Sequence, residues 1–222
     1  MLAHLPGWQA AGVDLPGHGD APDWDGAADY GDAAHAQAAA ALGQGTDVLV
    51  GHSFGAVAAL RLAMARPGTV GRLVLIEPVL FAAARGTPAW DRNTADFAPF
   101  AAAMQAGDRE GAARAFLAVW GDGTPWRDMP AAIRAALAAR IHLIAAGAPT
   151  LHDDRAGLLA PGRLESLTLP VTLVEGGASP PVIAAIHAAL AARLPRSARH
   201  VIPGAGHMLP VTHAADLAAR LA

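Results

Sequence analysis

One short segment combines a reactive side chain with residues that could expose it, since residues 51–55 read Gly-His-Ser-Phe-Gly. A serine hydroxyl becomes a nucleophile when a nearby base takes its proton. An apolar Val/Leu run precedes the segment and an Ala/Leu-rich run follows it, so we predict a strand, a sharp turn and a helix. We expect a strained backbone at Ser53, and glycine at 51 and 55 because larger side chains would collide there. The N–H of Phe54 is then expected to face a developing oxyanion.

The elements that must position this turn are predicted from short apolar runs alternating with alanine-rich helical sequence. The other strand candidates are residues 8–13, 71–78, 170–177 and 199–203. The helix candidates are residues 27–42, 181–194 and 212–222, with alanine-rich runs at 97–104, 110–120 and 131–146. No strand pattern interrupts residues 79–169. We therefore predict an α/β fold with a mostly parallel sheet, built from residues 1–78 and 170–222 and interrupted by a helical insertion.

The composition excludes several kinds of chemistry. The chain has 222 residues, 53% of them hydrophobic, which is enough for one domain with a sizeable core. There is no cysteine, so disulfides, thiolate metal sites and cysteine nucleophiles are excluded. A net charge of −3 provides no basic surface for a nucleic-acid partner. Without a signal-peptide pattern or a run long enough to span a bilayer, a cytoplasmic protein with no membrane partner is predicted.

Three motifs make the sequence similar to the α/β-hydrolase fold family over essentially the whole chain. They are Asp-Leu-Pro-Gly-His-Gly at 14–19, Gly-His-Ser-Phe-Gly at 51–55, and Gly-Ala-Gly-His at 204–207 followed by Pro210. The resemblance implies that Ser53 is the nucleophile, that His207 is the general base and that the insertion of residues 79–169 is a cap over the pocket. It implies no cofactor, and such motifs do not identify a substrate.

The triad carboxylate is where this sequence departs from the family pattern. The family usually has Gly-x-x-Asp after the later strand, whereas residues 176–179 read Gly-Gly-Ala-Ser. Ser179 cannot supply the negative charge that stabilises an imidazolium ion. Glu77 follows the strand next after the serine turn, and some hydrolases of this fold take their acid from that place, so Glu77 is the favoured candidate. Glu175, at the end of the later strand, is the alternative.

Other polar groups receive simpler interpretations. His18 could act as a base, but it lies in a Pro-Gly turn where hydrogen bonding within the loop is expected. Asp153 and Asp154 are expected to be a solvated pair in the cap. The chain has ten histidines, but none has the spacing of a metal-binding motif, so no metal is predicted.

These observations predict a cofactor-free serine hydrolase that cleaves a small acyl compound through an acyl-enzyme. A carboxylic ester is the favoured substrate, and a C–C or amide bond is also compatible with the chemistry. Trp120 and Trp126 could line the acyl pocket, or they could form the core of the cap itself. The alternative is a non-catalytic relative that binds a ligand in the capped pocket, and serine at 179 is its support.

The resemblance implies a further strand and loop near the N-terminus, and residues 1–6 are too few to form them. In the family, the strand that precedes the nucleophilic serine pairs with an earlier strand whose His-Gly loop supplies a second oxyanion N–H. Residues 1–6 cannot form both, so the strands ending at Val13 and Val50 are expected to face each other across a gap with unpaired backbone groups. We therefore expect this chain to be an N-terminally shortened version, poorly stable and weakly active.

Overall fold

Four parallel strands form the sheet in a computed structural model that describes residues 2–221. In sheet order they are β1 (Thr46–His52), β2 (Val70–Ile76), β3 (Val171–Gly176) and β4 (Ser197–Ile202). The residues of β3 are all buried, as expected for a strand covered on both faces. The predicted α/β fold with a mostly parallel sheet is confirmed.

Helices pack on both faces of this sheet. In β2, Leu73 and Leu75 belong to one apolar cluster, while Val74 and Ile76 belong to another on the opposite face, because side chains alternate along a strand. The helices outside the insertion are α1 (Tyr30–Leu42), α2 (Phe54–Ala65), α8 (Pro181–Ala191), α9 (Leu209–Thr212) and α10 (Ala214–Leu221). Helices α2 and α8 contribute to the first cluster, and α9 and α10 to the second.

The chain between β2 and β3 is helical, as predicted. Its α-helices are α3 (Pro88–Gln105), α4 (Arg109–Trp120), α5 (Ala131–Arg140), α6 (His142–Ala146) and α7 (Ala148–His152), with short 3-10 helices at Phe81–Ala84 and Trp126–Asp128. Phe100, Ala112, Ala113 and Ile141 form a separate apolar cluster inside this insertion. The insertion therefore has a small core of its own and is also packed on the sheet domain, because Trp120 belongs to the first cluster.

The predicted strand at residues 8–13 is wrong. These residues have no regular secondary structure, and β1 pairs with β2 alone among the described strands. A groove of about 1390 Å³, lined by residues 7–13 on one side and by residues of β1 on the other, separates the two segments. Without a neighbouring strand in hydrogen-bonding distance, residues 8–13 have no ladder to join.

Several helix boundaries also differ from the prediction. The helix predicted from Ala27 begins at Tyr30, because the side chain of Asp29 caps it by accepting the N–H of Asp32. The helix predicted over residues 212–222 corresponds to α10, which begins at Ala214, while Thr212 ends the separate short helix α9. Its last predicted residue, Ala222, lies outside the described residues, as does Met1. No helix within residues 2–221 is long and apolar enough to cross a membrane.

Candidate active site

Ser53 lies in the turn between β1 and α2. Its backbone has φ 56° and ψ −124°, a region that L-residues rarely adopt, so the expected strain at this serine is present. The turn is tight because Gly51 lies against the start of α2. A Cβ added to Gly51 would lie 2.4 Å from the carbonyl oxygen of Gly55 and 2.6 Å from Cα of Ala56. Glycine is therefore required at 51.

The same expectation is wrong for Gly55. A Cβ added there would have no neighbour within 4 Å. Gly55 borders the groove beside β1, so the space into which its side chain would point is open. The motif thus contains one glycine that the turn requires and one that the described contacts do not require.

His207 lies in the loop between β4 and α9, with its side chain 6% exposed. Its Nε2 is 3.0 Å from Oγ of Ser53, and its Nδ1 is 2.9 Å from Oε2 of Glu77. A carboxylate can only accept, so Nδ1 carries the hydrogen and Nε2 is left to accept from the serine hydroxyl. The structure therefore brings together the three residues that the sequence indicated as nucleophile, base and acid.

Glu77 follows β2 and is completely buried. Its φ of 49° is unusual for a residue with a side chain. Oε1 accepts the N–H of Gly176 at 2.6 Å and the hydroxyl of Ser179 at 2.7 Å. Burial raises the pKa of the Glu77 carboxyl, but the hydrogen bonds from His207, Gly176 and Ser179 outweigh it and leave this pKa below its ordinary value. The carboxylate is therefore ionised at neutral pH.

The alternative acid, Glu175, has a different partner. Its Oε1 is 2.6 Å from Nε of Arg199, and the carboxylate is almost fully buried in this ion pair. Ser179, where the family pattern has aspartate, donates to the Glu77 carboxylate, a role that sequence reasoning did not identify. The departure from the family pattern showed that position 179 is unusual, but only the structure shows which carboxylate the Ser179 hydroxyl contacts.

Phe54 is the first residue of α2, so its N–H belongs to the initial turn, where N–H groups have no acceptor within the helix. This is the place where the sequence predicted an oxyanion donor. Its ring packs against Tyr30, with ring centroids 5.2 Å apart. Burial raises the pKa of the Tyr30 phenol to about 12, so this neighbour of the turn stays uncharged.

The two tryptophans named from the sequence lie in different places. Trp120, at the end of α4, is buried with its ring centroid 4.8 Å from that of His207 in an edge-to-face arrangement. Trp126 packs on the apolar cluster inside the insertion, and its Nε1–H donates to Glu110. The structure thus brings Trp120 against the ring of His207, whereas Trp126 lies on the apolar cluster of the insertion.

The remaining candidates have structural partners. Nδ1 of His18 is 3.2 Å from the carbonyl oxygen of Pro16, within the loop as expected. Asp153 is exposed near Arg85, but Asp154 accepts the N–H groups of Leu158 and Leu159 at 2.8 Å. The expectation of a solvated pair is therefore wrong for Asp154, which closes a turn with φ 48°. Across the described chain, no group of three histidine, aspartate or glutamate side chains could hold a metal ion.

Comparisons with known proteins agree with this fold. A model of the Alpha/beta hydrolase family matches residues 5–220. The chain belongs to this family, and this membership supports the interpretation that the protein is a hydrolase. A segment of 84 residues is 45% identical to the lipase LipV of Mycobacterium tuberculosis (strain ATCC 25618 / H37Rv), covering 36% of this chain and only 31% of that protein's length.

Solved structures show the same architecture. A hydrolase from Pseudomonas aeruginosa PA01 superposes with a TM-score of 0.67 at 21% identity, covering 94% of this chain and 76% of that one. A thermophilic esterase superposes with a TM-score of 0.60 at 20% identity, covering 94% of this chain and 77% of the esterase chain. At these identities the likeness shows the fold.

Proposed function

We propose that the protein is a cofactor-free serine hydrolase that cleaves a small carboxylic ester through an acyl-enzyme. The observation that carries this proposal is the continuous hydrogen-bond chain from Ser53 Oγ to His207 to Glu77, with distances of 3.0 and 2.9 Å. A buried carboxylate, an oriented imidazole and a serine on a strained turn are together the parts that nucleophilic acyl transfer needs.

In the first half-reaction, Ser53 Oγ attacks the carbonyl carbon and its proton passes to Nε2 of His207. Glu77 stabilises the imidazolium ion that forms, because its carboxylate accepts the Nδ1–H bond. The oxygen of the tetrahedral intermediate becomes negative and is stabilised by the N–H of Phe54 at the positive end of α2. The intermediate collapses, His207 protonates the leaving alkoxide, and the acyl group remains on Ser53.

In the second half-reaction, water attacks the acyl carbon while His207 removes its proton. The acid product leaves when His207 returns that proton to Ser53. The same steps would serve an amide or an activated C–C bond. A carboxylic ester is preferred here because the lipase and esterase among the similar proteins are named for ester hydrolysis.

We assign the insertion of residues 79–169 as the cap and Trp120 as a wall of the acyl pocket. The support is that Trp120 lies on the insertion and contacts the ring of His207. Trp126 was the second candidate from the sequence, and its position inside the insertion favours a role in the cap's own core. Trp120→Ala should therefore raise KM for esters more than Trp126→Ala does, and equal effects of the two changes would contradict this assignment.

A fluorophosphonate probe tests the proposal, because it phosphonylates serines that a neighbouring base activates. The wild-type chain should be labelled at Ser53, as read by peptide mapping, and Ser53→Ala should remain unlabelled. A folded wild-type chain that resists the probe would support the non-catalytic ligand-binding alternative. A panel of p-nitrophenyl esters of increasing acyl length then measures which acyl group the pocket accepts.

A further inference from the structure

His52, the residue before the nucleophile, makes a contact that the reaction scheme above does not use. It is the last residue of β1, and its Nε2 is 2.8 Å from the main-chain carbonyl oxygen of His207. The two rings are tilted by 37° to one another, with centroids 4.8 Å apart. The strand that carries Ser53 is thus joined to the base at its backbone as well as at its side chain.

The partner of His52 determines its tautomer. A backbone carbonyl oxygen can only accept, so Nε2 of His52 must carry the hydrogen. Burial, together with the neighbouring ring of His207, lowers the pKa of His52 to about 4. The ring is therefore neutral at the pH of ester hydrolysis, and it adds no second positive charge when His207 becomes an imidazolium ion.

The loop of His207 is also held by main-chain hydrogen bonds on either side of the base. Ile202 ends β4 and α9 begins at Leu209, so the base lies between two regular elements. Within this loop, the carbonyl of Ala205 accepts the N–H of Ala178, and the N–H of Leu209 donates to Gly206. For His207 itself, the main-chain bond is the one from His52, while both ring nitrogens are engaged with reacting or orienting groups.

We propose that His52 is a positioning residue, whose Nε2–H holds the backbone of His207 so that the imidazole stays within hydrogen-bonding reach of Ser53. The inference rests on the proposed function, since it concerns how the base is held for the attack of that serine. A displacement of about 1 Å in a catalytic group can cost about 100-fold in rate, so one bond at the backbone of the base is sufficient to matter.

The test compares two replacements of His52 in the full chain. His52→Gln keeps an N–H donor at a similar distance from the backbone, whereas His52→Phe keeps a ring but has no donor. The measured quantity is the second-order rate constant of fluorophosphonate labelling at neutral pH, with kcat and KM for p-nitrophenyl acetate. His187→Leu is the matched control, because it removes another buried histidine, from helix α8, which carries none of the residues of the proposed mechanism.

We expect His52→Phe to lower the labelling rate constant and kcat by about 10- to 100-fold with KM unchanged. His52→Gln should restore most of the rate, and His187→Leu should label like wild type. Equal rates for wild type and His52→Phe would overturn the inference, as would equal losses in the Phe and Gln variants with their folds intact. If His52→Phe does not fold, His52→Asn replaces it, because its amide is one methylene shorter than that of Gln and cannot reach the carbonyl.

The same labelling experiment distinguishes a failure of the proposed function from a failure of the role given to His52. If the wild-type chain is not labelled at all, the serine mechanism fails. If the wild type is labelled at Ser53 and the two His52 variants are labelled equally fast, only the role of His52 fails.

Discussion

Glu77 reaches His207 because the two central strands place their carboxyl ends side by side. Ile76 of β2 is in register with Val174 of β3, and the N–H of Glu77 donates to the carbonyl of Val174 at 2.9 Å. A carboxylate at the carboxyl end of either strand can therefore reach the same imidazole ring. This explains how serine can occupy position 179 while the charge comes from position 77, with the Ser179 hydroxyl donating to that charge.

Replacing each glutamate by glutamine tests which of the two acts as the triad acid. Glu77→Gln should lower kcat by about 10⁴-fold, because an amide neither selects the reactive tautomer of His207 nor stabilises its imidazolium form. Glu175→Gln should have a much smaller effect on kcat, since its partner is Arg199. Steady-state ester hydrolysis by the two variants measures this, and the reverse ranking would move the acid to Glu175.

Local residue patterns predicted the serine turn, whereas the resemblance to the α/β-hydrolase family implied that His207 is the base and favoured Glu77, at the end of the next strand, as the acid. The bond from His52 to His207 was not predictable in the same way. The two residues are 155 positions apart, and the acceptor is a backbone carbonyl that has no residue-type signature. The hydrogen bond from Ser179 to Glu77 spans 102 positions and is hidden for the same reason.

At the scale of the elements, the turn between β1 and α2 depends on how closely strand and helix approach. Gly51 faces the backbone of α2, whereas Gly55 faces the open groove along β1. The sequence predicted the strand and the helix from their apolar runs. The sequence could not show that only Gly51 lies in close contact with neighbouring backbone atoms, because this depends on what packs beside β1.

The two glycines give a matched pair of variants. Gly51→Ala should destabilise the fold by about 1–3 kcal/mol or more, because the new methyl would overlap backbone atoms that cannot move away. Gly55→Ala should be neutral or stabilise by up to about 1 kcal/mol, since it lies in a helix with free space around it. Urea unfolding midpoints measure both, and similar losses in the two variants would contradict the described turn.

The segment at residues 8–13 has the residue pattern of a strand but not the structure of one. Its apolar residues predict a strand, but a strand also requires a neighbour with which to exchange hydrogen bonds. In the described sheet, β1 pairs on one side only, and residues 8–13 remain irregular across the groove. Pairing is a property of the assembled sheet, so it could not be read from this segment alone.

At the scale of the whole molecule, acid stability depends on histidines that the fold buries in neutral form. His187 of α8 is completely buried, and burial lowers its pKa to about 4, with Glu77 opposing and Arg199 adding to this effect. His52 is lowered to about 4 as well. Below pH 6.5 the unfolded chain binds protons at these histidines that the folded chain does not bind, so stability is complete above that pH and falls as the pH approaches 4.

The contribution of His187 can be measured separately. A pKa lowered from 6.5 to about 4 corresponds to about 3 kcal/mol of stability lost across that range. Urea unfolding at pH 7.5 and 4.5 should show a smaller acid loss in His187→Leu than in wild type. His4→Leu, at an exposed histidine near the N-terminus, should show the wild-type loss. An unchanged acid loss in His187→Leu would show that this histidine is not held neutral by the fold.

The proposed reaction passes through a covalent intermediate at Ser53. The most direct measurement is rapid mixing of the purified chain with p-nitrophenyl acetate, followed by intact-mass spectrometry and peptide mapping of the quenched protein. We predict a burst of p-nitrophenol and an acetyl adduct on the peptide that contains Ser53. In Ser53→Ala the adduct should be absent and turnover should fall by about 10⁴- to 10⁶-fold with the fold intact. Near-normal turnover in that variant, or an adduct on another residue, would contradict the serine mechanism.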